Sequence, residues 1–129
     1  RRNYHGRVYA KAQNVRSTYI KCYDAVLANV DMLVMPTCIM TAPKNHTPGS
    51  YLEAVEDNLA TMNSSGSRNT LPFNYTGHPA LALPVGKSSA GLPVSMQLVR
   101  RILDDPHLMR AAYPNQHSTD WNKIIGVHS

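Results

Sequence analysis

Amide, ester or phosphate chemistry needs a nucleophile, a proton shuttle or a metal, and the 129-residue sequence offers candidates for each. The Ser64-Ser65-Gly66-Ser67 stretch is the densest group of hydroxyls. It lacks the strand-turn-helix setting of a GxSxG nucleophile elbow, and a Ser/Gly cluster between two elements reads as a flexible loop. His5, His46, His78, His107, His117 and His128 lie far apart. No pair has the i, i+4 spacing with which one helix face presents two imidazoles to zinc. Cys22 and Cys38, the two cysteines, show no CxxC or Cys/His spacing and read as free thiols in a reducing compartment. Asp104 and Asp105 are adjacent carboxylates, but their place directly before Pro106 assigns them to a helix start. The triplets beginning at Asn63 and Asn74 match the glycosylation pattern by coincidence, with no secretory signal beside them.

The elements that would carry these residues follow from periodicity. From Tyr9 to Val30 the apolar positions Ala12, Val15, Tyr19, Tyr23, Val26, Leu27 and Val30 recur at three- and four-residue steps, which predicts an amphipathic helix. Asp31 to Met35 runs apolar without alternation until Pro36, the pattern of a strand buried on both faces. A loop over Thr37 to Gly49 precedes Ser50, which forms a capping box with Glu53 and starts a helix to about Met62. Asn63 to Asn69 reads as a loop leading into Thr70 to Asn74. Gly77 and Pro79 then turn the chain into a strand at Ala80 to Val85. A second strand, Pro93 to Val99, follows the turn signals of Lys87 to Gly91, so the two form a hairpin. A helix runs from Asp104-Asp105-Pro106 through Ala112, closed by Pro114, and the tail from His117 to Ser129 adds a turn around Trp121.

One buried strand and one hairpin with three helices make a sheet too narrow for strands so continuously apolar. The fragment expects more sheet than it contains, and its lack of an initiator Met agrees with a processed, truncated or excerpted chain. The composition, 43% apolar, is sufficient for one globular core. No apolar run approaches the roughly 18 residues of a membrane span, so no membrane association is expected. The net charge of +5 is spread over a helical stretch from Arg1 to Lys21 and the Arg100-Arg101 pair, with no aromatic platform beside it. A solvated helix face explains it and nucleic acid binding is not expected.

Four strings stand out in one order: Tyr9 to Arg16, Asp31 to Thr37, Asn69 to Ala80 and Gly91 to Val99. Together they resemble the C-terminal portion of the amidase signature family, over about Tyr4 to Ala112. The resemblance implies an α/β fold, the C-terminal part of an α/β/α architecture whose mixed central sheet is incomplete in this chain. Residues 1–129 would form a segment of a single domain with no second domain. It further implies a parent that hydrolyses a carboxylic amide to an acid and ammonia or an amine without cofactor or metal; the missing membrane span and the free thiols make the expected parent soluble and cytoplasmic. The Ser, cis-Ser and Lys of that mechanism would lie upstream, so no catalytic residue is assigned here and the isolated chain is expected to be inactive.

What the resemblance leaves to this chain is a wall of the substrate pocket: Thr37, Cys38, Ile39 and Met40 after the strand end, with Thr70 and Phe73 facing them. A second reading keeps these six as core and loop packing. Asn69 and Asn74 either hold their own loop or touch substrate, the former being preferred. The sequence departs from the family pattern at Ser95 and Arg100, where glycines are common. Ser67 stands where the glutamine-dependent amidotransferases of the family tend to place an acidic residue, which favours a general amidase. The expected partners are the amide substrate and the remainder of the domain, and a homo-oligomer is left open. The rival readings are a non-catalytic amidase-like binding or pseudoenzyme domain and a piece of the amidase-like component of a glutamine-dependent amidotransferase. The presence of the Lys and the Ser/Gly signature upstream separates catalytic from non-catalytic forms.

Overall fold

The computed structural model describes residues 6–44, 47–63, 66–118 and 120. The expected turn around Trp121 lies outside them. Helix α1 spans Arg7–Leu27, close to the predicted helix, but its buried stripe is rotated from the expected one. Leu27 is fully buried and Arg16, Ile20 and Tyr23 are half-buried, whereas Tyr9, Val15, Tyr19 and Val26 stay exposed. The stripe 16, 20, 23, 27 keeps helical spacing, so the expected period holds and the face is displaced by about one residue.

Strand β1 covers Leu33–Pro36, β2 Ala80–Lys87 and β3 Pro93–Val99, and the sheet order is β1-β3-β2 with both pairings antiparallel. The predicted hairpin of β2 and β3 is present. Its turn closes by Ser88 N–H donating to the Leu92 carbonyl at 2.8 Å, with Gly91 at φ 78°. Residues alternate across β3: Met96 and Leu98 face helix α4 (Asp105–Ser118), and Gln97 and Val99 face the opposite side. Leu83, Leu98, Leu108 and Ala112 form the core between sheet and α4, with Met32, Leu81 and Met96 packed against it.

The expectation that the first strand is buried on both faces is corrected: Val34, paired with Leu98, is 59% exposed. Helix α4 packs over β2 and leaves β1 uncovered, so that stretch of apolar surface has no lid among the described residues. Helix α4 also continues to Ser118 with Pro114 inside it rather than stopping there. Proline forfeits its own N–H bond and crowds the carbonyl four residues back, so it weakens a helix without always ending it.

The capping box forms as predicted at the start of α2 (Tyr51–Asn63). Glu53 N–H donates to Ser50 Oγ at 3.2 Å and Glu53 Oε2 accepts from Gly49 N–H at 2.7 Å. Helix α3, Leu71–Thr76, is not foreshadowed by the pattern. Six residues are too few to show a helical period, and Pro72 disguises it, although proline is well tolerated in a first turn. Gly77 ends it at φ 85°, its N–H donating to the Phe73 carbonyl at 2.8 Å.

Candidate functional site

A cleft of about 440 Å³ opens where β1 ends. Its near wall is Pro36, Cys38, Ile39 and Met40, continued by Thr41 to Pro43. The far wall is Pro93, Val94 and Ser95 at the start of β3, with Gly66 from the Ser/Gly loop. The sheet dictates this meeting. Pro36 pairs with Met96 in antiparallel register, so the chain leaving β1 must pass the residues entering β3, and Thr37 N–H donates to the Ser95 carbonyl at 3.0 Å.

Of the six residues singled out from the sequence, Cys38, Ile39 and Met40 line the cleft. Thr37 sits between two lining residues and its Oγ1 is buried without a hydrogen-bond partner among the described residues. A buried hydroxyl without a partner costs free energy, and Thr37 itself is not among the residues that line the cleft. Thr70 and Phe73 lie elsewhere. Thr70 Oγ1 donates to the Ser67 carbonyl at 3.1 Å, and Phe73, 4% exposed, packs edge-on against Tyr23 with centroids 5.2 Å apart.

Pro93, Val94 and Ser95 are lining residues that the sequence does not single out. Only the pairing of β1 with β3 brings them here, and a single sequence shows no pairing across some sixty positions. Asn69 bonds the strand end rather than its own loop: its Nδ2 donates to the Pro36 carbonyl at 2.6 Å, while its backbone carbonyl accepts from Gln97 Nε2 at 3.0 Å. The loop is thereby tied to the strand end that opens the cleft. Arg100, where a glycine is common, finds a partner in Asp104, with Nε to Oδ2 at 2.6 Å.

Titratable groups cluster away from the cleft. His78 is buried between α1 and α3, with Nδ1 2.8 Å from Thr76 Oγ1 and Nε2 3.3 Å from Asp24 Oδ1, beside the Tyr23 ring. These are the contacts of a histidine that joins two helices. Asp104 receives hydrogen bonds from Arg100 and His107 at the start of α4. Desolvation works against its charge, but the bonds and positive charges of Arg100 and His107 together outweigh it and hold the carboxyl below its ordinary value. Among the described residues no three His, Cys, Asp or Glu side chains come together as a metal site, and no helix is long and apolar enough to cross a membrane.

The cleft therefore offers shape and apolar surface, without a nucleophile-base pair among the described residues. Known proteins resemble this chain in sequence and fold. The family model described as Amidase matches residues 1–109. The A component of the glutamyl-tRNA(Gln) amidotransferase of Trichodesmium erythraeum is 38% identical over 121 residues, which is 94% of this chain and 23% of that protein. The same component from Synechococcus sp. (strain CC9605) is 39% identical over 105 residues, 81% of this chain and 20% of its own length. The chain thus spans about a quarter or less of these curated relatives. Among solved structures, 6-aminohexanoate cyclic dimer hydrolase superposes with a TM-score of 0.68 at 25% identity, covering 90% of this chain and 25% of that one. The amidotransferase A component of Thermotoga maritima superposes with a TM-score of 0.58 at 28% identity, covering 77% of this chain and 20% of that one.

Proposed function

Because the chain belongs to the amidase family, we propose that it supplies one wall of the substrate pocket of an amide hydrolase whose reacting groups come from the rest of that protein. The observation that carries this reading is the cleft at the β1 end, which opens where two of the resembling strings meet and holds, among the described residues, no nucleophile with a base beside it. Cleaving an amide requires a deprotonated nucleophile, a proton for the departing nitrogen and donors aimed at the oxyanion. Positioning the substrate is a separate task, which a shaped wall performs by restricting the amide to a reactive pose.

In this reading Cys38, Ile39 and Met40 contact the substrate, and Thr37 stands between the lining residues Pro36 and Cys38. Thr70 and Phe73 stand outside the cleft and act on it indirectly, by holding the chain that enters α3, the latter through its packing against Tyr23. Residues 1–129 form part of one domain, the parent acts without a cofactor in the cytoplasm, and its partners are the amide and the remainder of the domain. The test is to assay the 129-residue chain and its full-length parent on simple aliphatic and aromatic amides. Turnover is expected from the parent alone, and hydrolysis by the isolated chain would overturn the assignment of the nucleophile to another segment.

A second reading is favoured by the two amidotransferase relatives at 38% and 39% identity. Here the parent is itself one component of an amidotransferase and works with protein partners. Amide transfer to glutamyl-tRNA(Gln) that appears only when the parent is mixed with partner proteins would select it over the free-standing hydrolase.

A further inference from the structure

The lining of the cleft limits what it can hold. Pro36, Ile39, Met40, Pro93 and Val94 give it hydrocarbon and thioether surface, and its polar groups are neutral: the hydroxyls of Thr41 and Ser95 and the thiol of Cys38. No Lys, Arg, His, Asp or Glu lines it among the described residues. A carboxylate or ammonium moved from water into such a site loses its hydration and gains no ion pair, whereas an apolar chain gains from burial. The volume of about 440 Å³ lies in the range of small-molecule pockets.

We infer that this cleft receives an uncharged, apolar group of the substrate, so that the preferred substrates are neutral amides with a hydrocarbon chain rather than free amino-acid amides carrying charge. The inference rests on the amide-hydrolase reading and specifies its substrate class. Ile39, a half-exposed residue of the near wall, is the residue whose chemistry sets the preference. Cys38 reports occupancy, because its thiol lines the cleft while Cys22 sits on α1, and both are exposed.

The experiment uses the full-length parent with three amides: hexanamide, acetamide and glutamine. Hexanamide is expected to exceed both others in kcat/KM by roughly tenfold or more, the discrimination a few buried methylenes can supply. Ile39→Asp is expected to erase most of the hexanamide-to-acetamide ratio, and Ile39→Leu, similar in volume, to keep it. In parallel, hexanamide is expected to slow alkylation of Cys38 by N-ethylmaleimide and to leave Cys22 unaffected, whereas glutamine slows neither. Glutamine as the better substrate, or a ratio indifferent to Ile39→Asp, overturns the inference and leaves the hydrolase reading standing. If the parent cleaves none of the three, the hydrolase reading fails and alkylation decides alone: protection of Cys38 by hexanamide upholds an apolar binding cleft, and its absence overturns it.

Discussion

The sheet with α1, α3 and α4, and the stretch from Thr37 through α2, are held by different means. In the first, contacts distant in sequence are dense. Arg16 Nε donates to the Tyr75 carbonyl at 2.6 Å, Tyr75 in turn bonds the Ala12 carbonyl, and Arg101 Nε donates to the Leu27 carbonyl at 3.1 Å. Tyr23, Phe73 and His78 pack ring against ring between these helices. In the second, the capping of α2 is local, and Tyr51, Leu52 and Leu59 stand 87%, 68% and 54% exposed. Among the described residues no other element packs substantially on α2. The cleft lies on the seam, with β3 as its firm wall and the residues after β1 as its loosely held one. A site built this way keeps its register from the sheet while the facing segment retains freedom to adjust.

Substitutions can break or sharpen this contrast, and the largest effect belongs to the firm half. Phe73→Ala in the parent is expected to cost about 3–5 kcal/mol in urea unfolding, since it empties a buried aromatic site. A loss below about 1 kcal/mol would mean that the helices are not held by that ring packing. At the seam, Asn69→Ala removes the bond to the Pro36 carbonyl and should cost about 1 kcal/mol, with faster alkylation of Cys38 as the wall loosens. In the loose half, Ser50→Ala should cost about 0.5–1 kcal/mol of helix stability, read from amide exchange in α2 without change in the sheet.

Smaller effects come from the turn before α4. Leu103 has φ 65° and is 88% exposed, so Leu103→Gly relieves backbone strain while losing little burial. A net gain of about 0.5 kcal/mol is expected in the same urea titration, because glycine's added chain entropy offsets part of the relief. Asp104 adds a pH dependence. Its carboxyl is held below the ordinary 3.8 in the folded chain, so its stabilisation is complete above that value and fades as acid titrates it through the lower folded value. Asp104→Asn should flatten that part of the acid limb, and an unchanged limb would refute the assignment.

The same contrast explains what can be read from the sequence. Local signals suffice for α1, whose apolar residues recur with a helical period, and for the Ser50/Glu53 box, which places both partners within one turn. They suffice also for the β2–β3 hairpin, whose strands flank a short turn region. Signals fail where a partner far along the chain decides. The rotation of α1 is set by α3, which half-covers Arg16 and leaves Val15 exposed. The exposure of Val34 is set by where α4 lies, and the far wall of the cleft by strand pairing. Pro72 and Pro114 mislead for another reason: proline shows where a helix is weakened, not where it must end.

The pairing of β1 with β3 has a consequence in time. The hairpin needs only a short chain closure, whereas Leu33 meets Val99 and Arg16 meets Tyr75 across long intervening segments, the latter 59 residues apart. Closure entropy grows with segment length, so the hairpin is expected to nucleate first and β1 to dock later, which pulsed hydrogen exchange on the parent would resolve strand by strand. Since Pro36 arrives with β1, the newborn protein would possess half a binding groove before it possesses the whole, and maturation of its ligand recognition would keep pace with its slowest long-range encounter.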